Sequence, residues 1–92
     1  MHTDEYEISI AREINHCQRV VTKTKKKLEE RRRRFGMDFA EVARIAAEGG
    51  TTIDARELAA WREDVEALPV WEQRLEEYRQ ALSVMRISAS RF

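Results

Sequence analysis

The residues here that can bind a soft metal are His2, His16 and Cys17, and their spacing does not build a site. His16 and Cys17 are adjacent, and neighbours on a helix point about 100° apart, so they cannot close on one ion. No Cys-x-x-Cys or His-x-x-x-His spacing supports them. Two Asp-x-x-Glu pairs, Asp38 with Glu41 and Asp54 with Glu57, are the carboxylates that acid–base or hard-cation chemistry would use. That chemistry needs further convergent ligands, and each pair stands where a helix must begin. Both therefore read as helix caps. The chain has no glycine-rich phosphate loop and no G-x-S-x-G turn. The expectation is no enzyme: no catalytic residue, no metal and no cofactor.

A basic run is the other chemical feature. Lys23, Lys25, Lys26, Lys27, Arg31, Arg32, Arg33 and Arg34 form a strongly positive stretch, with Lys23, Lys26, Arg32 and Arg33 as a candidate anion or nucleic-acid patch. Glu29 and Glu30 interrupt it, and the chain as a whole is neutral. Consecutive arginines on a helix spread around its circumference instead of lining one groove. Helix-turn-helix spacing is missing, as are interleaved aromatics for stacking bases. A solvated or internally paired basic face is the expectation, with nucleic-acid contact as the alternative.

The elements that must position these residues are helices. The chain has 92 residues, one domain's worth, with 37% charged residues, three glycines and one proline. One cysteine excludes an intramolecular disulfide, and neither a signal-peptide core nor a membrane-spanning run is present. A cytoplasmic location with no membrane contact is the default.

Ile10, Ile14, Cys17, Val21, Thr24, Leu28, Arg31 and Phe35 recur in steps of four and three, the seam of a helix packed lengthwise on another. Thr3 is the candidate cap, with Asp4 and Glu5 in the first turn. Tyr6 and Val20 lie beside the seam and widen it, and Arg31 breaks its apolar rule. This predicts a helix over about 4–35.

Gly36 stops that helix. Met37-Asp38-Phe39-Ala40-Glu41-Val42 then reads as a capping box with a Met37–Val42 staple, and Ile53-Asp54-Ala55-Arg56-Glu57-Leu58 repeats the pattern. A short helix at 38–48 follows, ended by Gly49-Gly50, with Thr51-Thr52 completing a linker. In the second arm, Leu58, Trp61, Val65, Leu68, Trp71, Leu75, Tyr78, Leu82 and Met85 form the apolar stripe. Its one short step, from Leu68 to Trp71, coincides with Pro69, which predicts a kinked helix over 54–86, with two helices meeting near Leu68 as the alternative, and a frayed tail at 87–92.

Together these elements predict an all-α, coiled-coil-like antiparallel hairpin with a short helix at the turn. Charge agrees. Residues 1–35 carry ten Lys/Arg against six Asp/Glu, net +4, and residues 36–92 carry seven against eleven, net −4. Antiparallel arms set the 23–34 stretch beside the 57–66 stretch.

The segment Lys26-Lys27-Leu28-Glu29, with Arg34-Phe35-Gly36-Met37-Asp38-Phe39-Ala40-Glu41-Val42, resembles a group of small bacterial and archaeal helical-hairpin proteins. In that group a charged helix ends in an aromatic-Gly-Met turn. A capped short helix, a linker with Gly and Asp, and a Trp-containing second helix follow. Gly49, Asp54, Trp61 and Glu66 fall near the corresponding places, and the likeness covers about residues 20–80. Several members look like the antitoxin half of two-gene toxin–antitoxin modules. The resemblance therefore implies a partner-binding role, with the toxin held by the helical surface. Val42 where Phe is more usual, the Gly-Gly pair and Pro69 depart from the pattern and bear on the partner more than on the hairpin.

A single hairpin cannot shield two tryptophans, a tyrosine and several aliphatics. The expectation is a homodimer, a dimeric helical bundle, or an unlike protein partner, with the interface at Trp61, Trp71, Tyr78, Val20 and Tyr6. A structural coiled-coil dimer or assembly subunit is the main alternative.

Overall fold

The computed structural model of the chain describes residues 5–50 and 52–90, the last three by their backbone alone. His2, Thr3, Asp4, Thr51 and the final two residues of the expected tail lie outside the described residues. Among the described residues, three α-helices make up the regular structure: α1 (Glu5–Phe35), α2 (Phe39–Ala47) and α3 (Ala55–Ser90). No described residue is in a strand. The fold is all-α, with α1 packed against α3.

Local sequence explains each boundary. Glu5 and Glu7 in the first turn of α1, and Arg32, Arg33 and Arg34 in its last, complement the helix dipole. Gly36 ends the helix at φ +70°, its N–H donating to the Arg32 carbonyl at 2.8 Å. Asp38 caps α2, its carboxylate accepting from the Glu41 N–H at 3.1 Å. Glu41 does not complete the expected capping box. Its carboxylate turns forward to Arg44 at 2.5 Å, because a guanidinium one turn on competes better than a single backbone N–H. Arg44 also reaches Glu48, and the hydrogen bond to Glu41 raises its pKa above the usual arginine value. A Schellman motif closes α2: the Gly50 N–H reaches the Ile45 carbonyl at 2.9 Å, and the Gly49 N–H, with φ at +75°, reaches Ala46 at 3.0 Å.

Asp54 caps α3 by accepting from the Arg56 N–H at 3.1 Å. Its expected partner Glu57 instead pairs with Arg34 of α1. At Pro69 the same helix agrees with the reading of one element, and at its end it corrects the expectation of a frayed tail. It runs through Pro69 as one element, and it continues past residue 86, so residues 87–90 are helical and not a frayed tail.

The described residues fall into two compact units, the first formed by α1 up to Thr22 with α3 from Val70 onward, the second by Lys23–Pro69. In the first unit, Cys17, Val21 and Leu75 are buried. Full burial of an aliphatic side chain contributes roughly 1.5–3 kcal/mol. His16 meets Trp71 edge-on at 5.5 Å, and Arg79 donates to the Gln18 side-chain oxygen Oε1 at 2.6 Å. The Arg86–Glu7 ion pair, at 3.5 Å, joins the end of α3 to the start of α1, so the two segments run antiparallel there.

In the second unit the order is likewise antiparallel, since Arg34 near the end of α1 pairs with Glu57 near the start of α3. Its core is Val42, Thr24 and Trp61. Trp61 is stacked on Phe35 at 5.2 Å and meets Phe39 edge-on at 5.6 Å. One indole thus ties together the end of α1, the start of α2 and the first turns of α3. Aromatic pairs of this kind contribute about 0.5–1.5 kcal/mol beyond their burial.

Candidate functional site

The second unit holds an open hollow of about 500 Å³. Sites that accept a ligand or an anchoring side chain span roughly 300–1,000 Å³, so this one is large enough. Its apolar lining comes from Leu28 of α1, Phe39 and Ala40 of α2, and Trp61 and Val65 of α3. Leu28 reaches it from the seam, because it falls at the edge of the stripe that faces α3. Lys25, three residues before Leu28, and Arg32, four after it, share that face of α1, and Glu29 adjoins it. Asp38 supplies the fourth charged group.

These four charges are not equivalent. Glu29 is engaged by Arg33 at 3.4 Å, and an Asp38 oxygen is held by the α2 cap. Arg32 is exposed and makes no ion pair with any described residue. Arg34 lies over the Phe35 ring at 4.7 Å and Arg62 over Phe39 at 5.7 Å, so cations also flank the aromatic cluster. The hollow is therefore apolar within, with charges of both signs at its edge, of which Arg32 makes no ion pair with a described residue.

Of the residues expected at an interface, Trp61 is 2% exposed and belongs to the chain's own core. Its placement in the seam between two aromatic partners leaves only an edge at the hollow. Trp71, Tyr78 and Val20 are half-buried in the first unit, and Arg74 covers the Trp71 ring at 4.9 Å. Tyr6 is 75% exposed and so does not widen the seam.

Lys23, Lys26, Arg32 and Arg33 are all exposed. Helical geometry puts Lys23, Lys26 and Arg33 on one side of α1 and turns Arg32 towards the hollow, so the four do not form one patch. Three other members of the basic run are internally paired. Lys27 and Arg31 both reach Asp64, at 3.5 and 2.6 Å, and Arg34 reaches Glu57. A second hollow of about 300 Å³, lined by Lys27, Glu30, Arg31, Arg34 and Glu57, has its cations matched by these carboxylates.

Sequence reasoning missed Phe39, Ala40 and Val65 as site residues. Phe39 was visible as a large apolar side chain one residue after a cap and four after Phe35, a spacing that brings two rings to one corner.

Among the described residues, no group of three or more His, Cys, Asp or Glu side chains could hold a metal ion, and no helix is long and apolar enough to cross a membrane. No protein-family model, curated protein or solved structure matches the chain.

Proposed function

We propose that this chain is a non-catalytic protein-interaction module that docks an amphipathic helix of an unlike partner protein in the hollow of the second unit. An apolar anchor of that helix lies against Leu28, Phe39 and Val65, and a carboxylate beside the anchor pairs with Arg32. In the antitoxin-like form of this reading, the partner is the toxin encoded by the neighbouring gene.

The observation that carries the reading is the hollow itself: a mostly apolar surface with one uncommitted cation at its edge. A helix laid in a groove is recognised by anchors of this kind at three- and four-residue spacing. A small-molecule site would instead bring buried polar groups to a point. Here Lys25, Glu29, Arg32 and Asp38 are all exposed.

The test is co-expression with the neighbouring gene's product, followed by affinity measurement on purified chains. Ala40 is exposed at the hollow, so Ala40→Trp fills it without disturbing the core. Both Ala40→Trp and Arg32→Glu are expected to weaken the complex by about tenfold or more, equivalent to roughly 1.4 kcal/mol. No complex, or one indifferent to both changes, would overturn the reading.

A further inference from the structure

We propose that a second copy of this chain pairs with it in antiparallel fashion along the outward face of α3 in the first unit. The seam is Val70, Gln73, Glu77, Gln80, Val84 and Ile87. These positions advance in steps of three, four, three, four and three, the repeat that keeps one side of a helix against a neighbouring helix. Along the helix itself Gln73 donates to Glu77 at 3.0 Å and Gln80 to Glu76 at 3.2 Å, and each amide keeps a second N–H. The inward side of this segment is Trp71, Leu75, Tyr78, Leu82 and Met85, all buried or half-buried. Val70, Val84 and Ile87 are 48%, 62% and 54% exposed, and Gln73, Glu77 and Gln80 are exposed between them. The surface is thus the reverse of the one bearing Trp71 and Tyr78.

The order of residues along this seam selects the occupant and its direction. Reversed and laid on itself, the stripe sets Val70 against Ile87 of the second copy, Gln73 against Val84 and Glu77 against Gln80. Apolar residues then close both ends, and in the middle each Gln80 amide donates to a Glu77 carboxylate, twice by symmetry. A parallel pairing would instead oppose Glu77 to Glu77, two like charges at one level, which is unfavourable. The flanks agree with the antiparallel choice. Residues 70–78 carry three acids (Glu72, Glu76, Glu77) and one base (Arg74), net −2, whereas residues 79–87 carry Arg79 and Arg86 and no acid, net +2. A polar centre fixes orientation at some cost in stability, and a seam of about 26 Å is short. The dimer is therefore reversible and concentration-dependent.

The experiment is sedimentation equilibrium on the full chain, from low to high micromolar concentration, with circular dichroism as the check on folding. The wild type is expected to pass from monomer to dimer mass. Val84→Glu should hold it at monomer mass with its helix content unchanged. Gln80→Glu, which faces Glu77 with a second carboxylate, should weaken the dimer about tenfold. The double variant Glu77→Lys/Gln80→Glu should recover it, since lysine then faces glutamate across an antiparallel seam. In a parallel seam the same double variant would face lysine with lysine. A wild type that stays monomeric throughout, a dimer untouched by Val84→Glu, or a double variant that fails to recover would overturn the proposal. None of these outcomes depends on the hollow of the second unit.

Discussion

The Arg31 guanidinium donates to the Asp64 carboxylate at 2.6 Å, and the two side chains are only 16% and 17% exposed. This pair resolves the one charged residue in the α1 seam. Arg31 stands where an apolar side chain is expected because an acid on α3 meets it there, with Lys27 as a second donor to the same carboxylate at 3.5 Å. Removing one member of such a pair leaves a charge short of water and short of a partner, which costs more than replacing both. Because both groups keep some solvent, Asp64→Asn is expected to cost about 1–3 kcal/mol, below the figure for a fully buried pair. The double variant Arg31→Met/Asp64→Leu should cost less than Asp64→Asn alone. Urea denaturation of the singles and the double reads this directly; a double as damaging as the sum of its singles would show that the pair is not coupled.

The two tryptophans should behave differently. Trp61 is 2% exposed and contacts two rings, whereas Trp71 is half-buried beside His16 and Arg74. Trp61→Ala removes a large buried ring and is expected to cost about 3–5 kcal/mol, enough to threaten folding of a chain this small. In the gentler variants, Trp71→Phe leaves Trp61 as the sole indole, with blue-shifted emission shielded from acrylamide. Trp61→Phe leaves Trp71, which should emit further to the red and be quenched more steeply. Equal quenching of the two would contradict the burial described above.

The seams were legible because their period is a backbone property. All eight α1 seam positions and all nine in α3 are buried or half-buried. The helix stops at Gly36 and Gly49 were equally plain, since each takes a positive φ that suits glycine. What the sequence concealed was side-chain choice where two partners compete. Glu41 and Glu57 each had a backbone N–H within reach by the capping-box pattern, yet both found an arginine, one on the same helix and one across the unit. Only the assembled helices decide between such partners. The partners of Trp61 were hidden in the same way: its place in the seam was legible, but Phe35 and Phe39 converge on it only once α2 turns the chain. The hollow was less legible still, because it is a space left between three helices and not a property of any one.

Capping provides a local test of this competition. Asp38 accepts a backbone N–H at the start of α2, so Asp38→Ala is expected to cost about 1 kcal/mol. Glu41→Gln, which removes a pairing with exposed Arg44 and no cap, should change stability by a few tenths of a kcal/mol at most. Thermal melts of the two variants separate the outcomes. A Glu41→Gln loss as large as that of Asp38→Ala would mean that the reciprocal capping box forms in solution.

Gly49 gives a conformational counterpart. Its φ of +75° lies in the left-handed region, and open space surrounds the position where a Cβ would sit. Gly49→Ala therefore tests backbone strain without steric clash, and about 1–2 kcal/mol of destabilisation is expected. Gly50, without a positive φ, would bring an added Cβ to 3.1 Å from the Ile45 side chain, so Gly50→Ala tests crowding instead. Gly49→Asn should be tolerated better than Gly49→Ala, because asparagine enters the left-handed region more readily. Equal losses for Asn and Ala at position 49 would point away from the backbone as the cause.

Pro69 lies inside α3, exposed, with helix on both sides. It has no N–H to give the carbonyl four residues back, Val65, and its ring crowds that carbonyl. The helix persists because the apolar stripe before and after it is packed against α1 in the two units, and tertiary burial outweighs a local defect. Since the proline ring itself packs little, replacing it should recover a backbone hydrogen bond at small loss. Pro69→Ala is expected to raise stability by about 1–3 kcal/mol and the melting temperature by several degrees, with helix content by circular dichroism unchanged or slightly higher. A fall in stability would show that the packing on one side of Pro69 depends on the proline ring. Refolding of Pro69→Ala in parallel with the wild type would then reveal which apolar positions had lost their register.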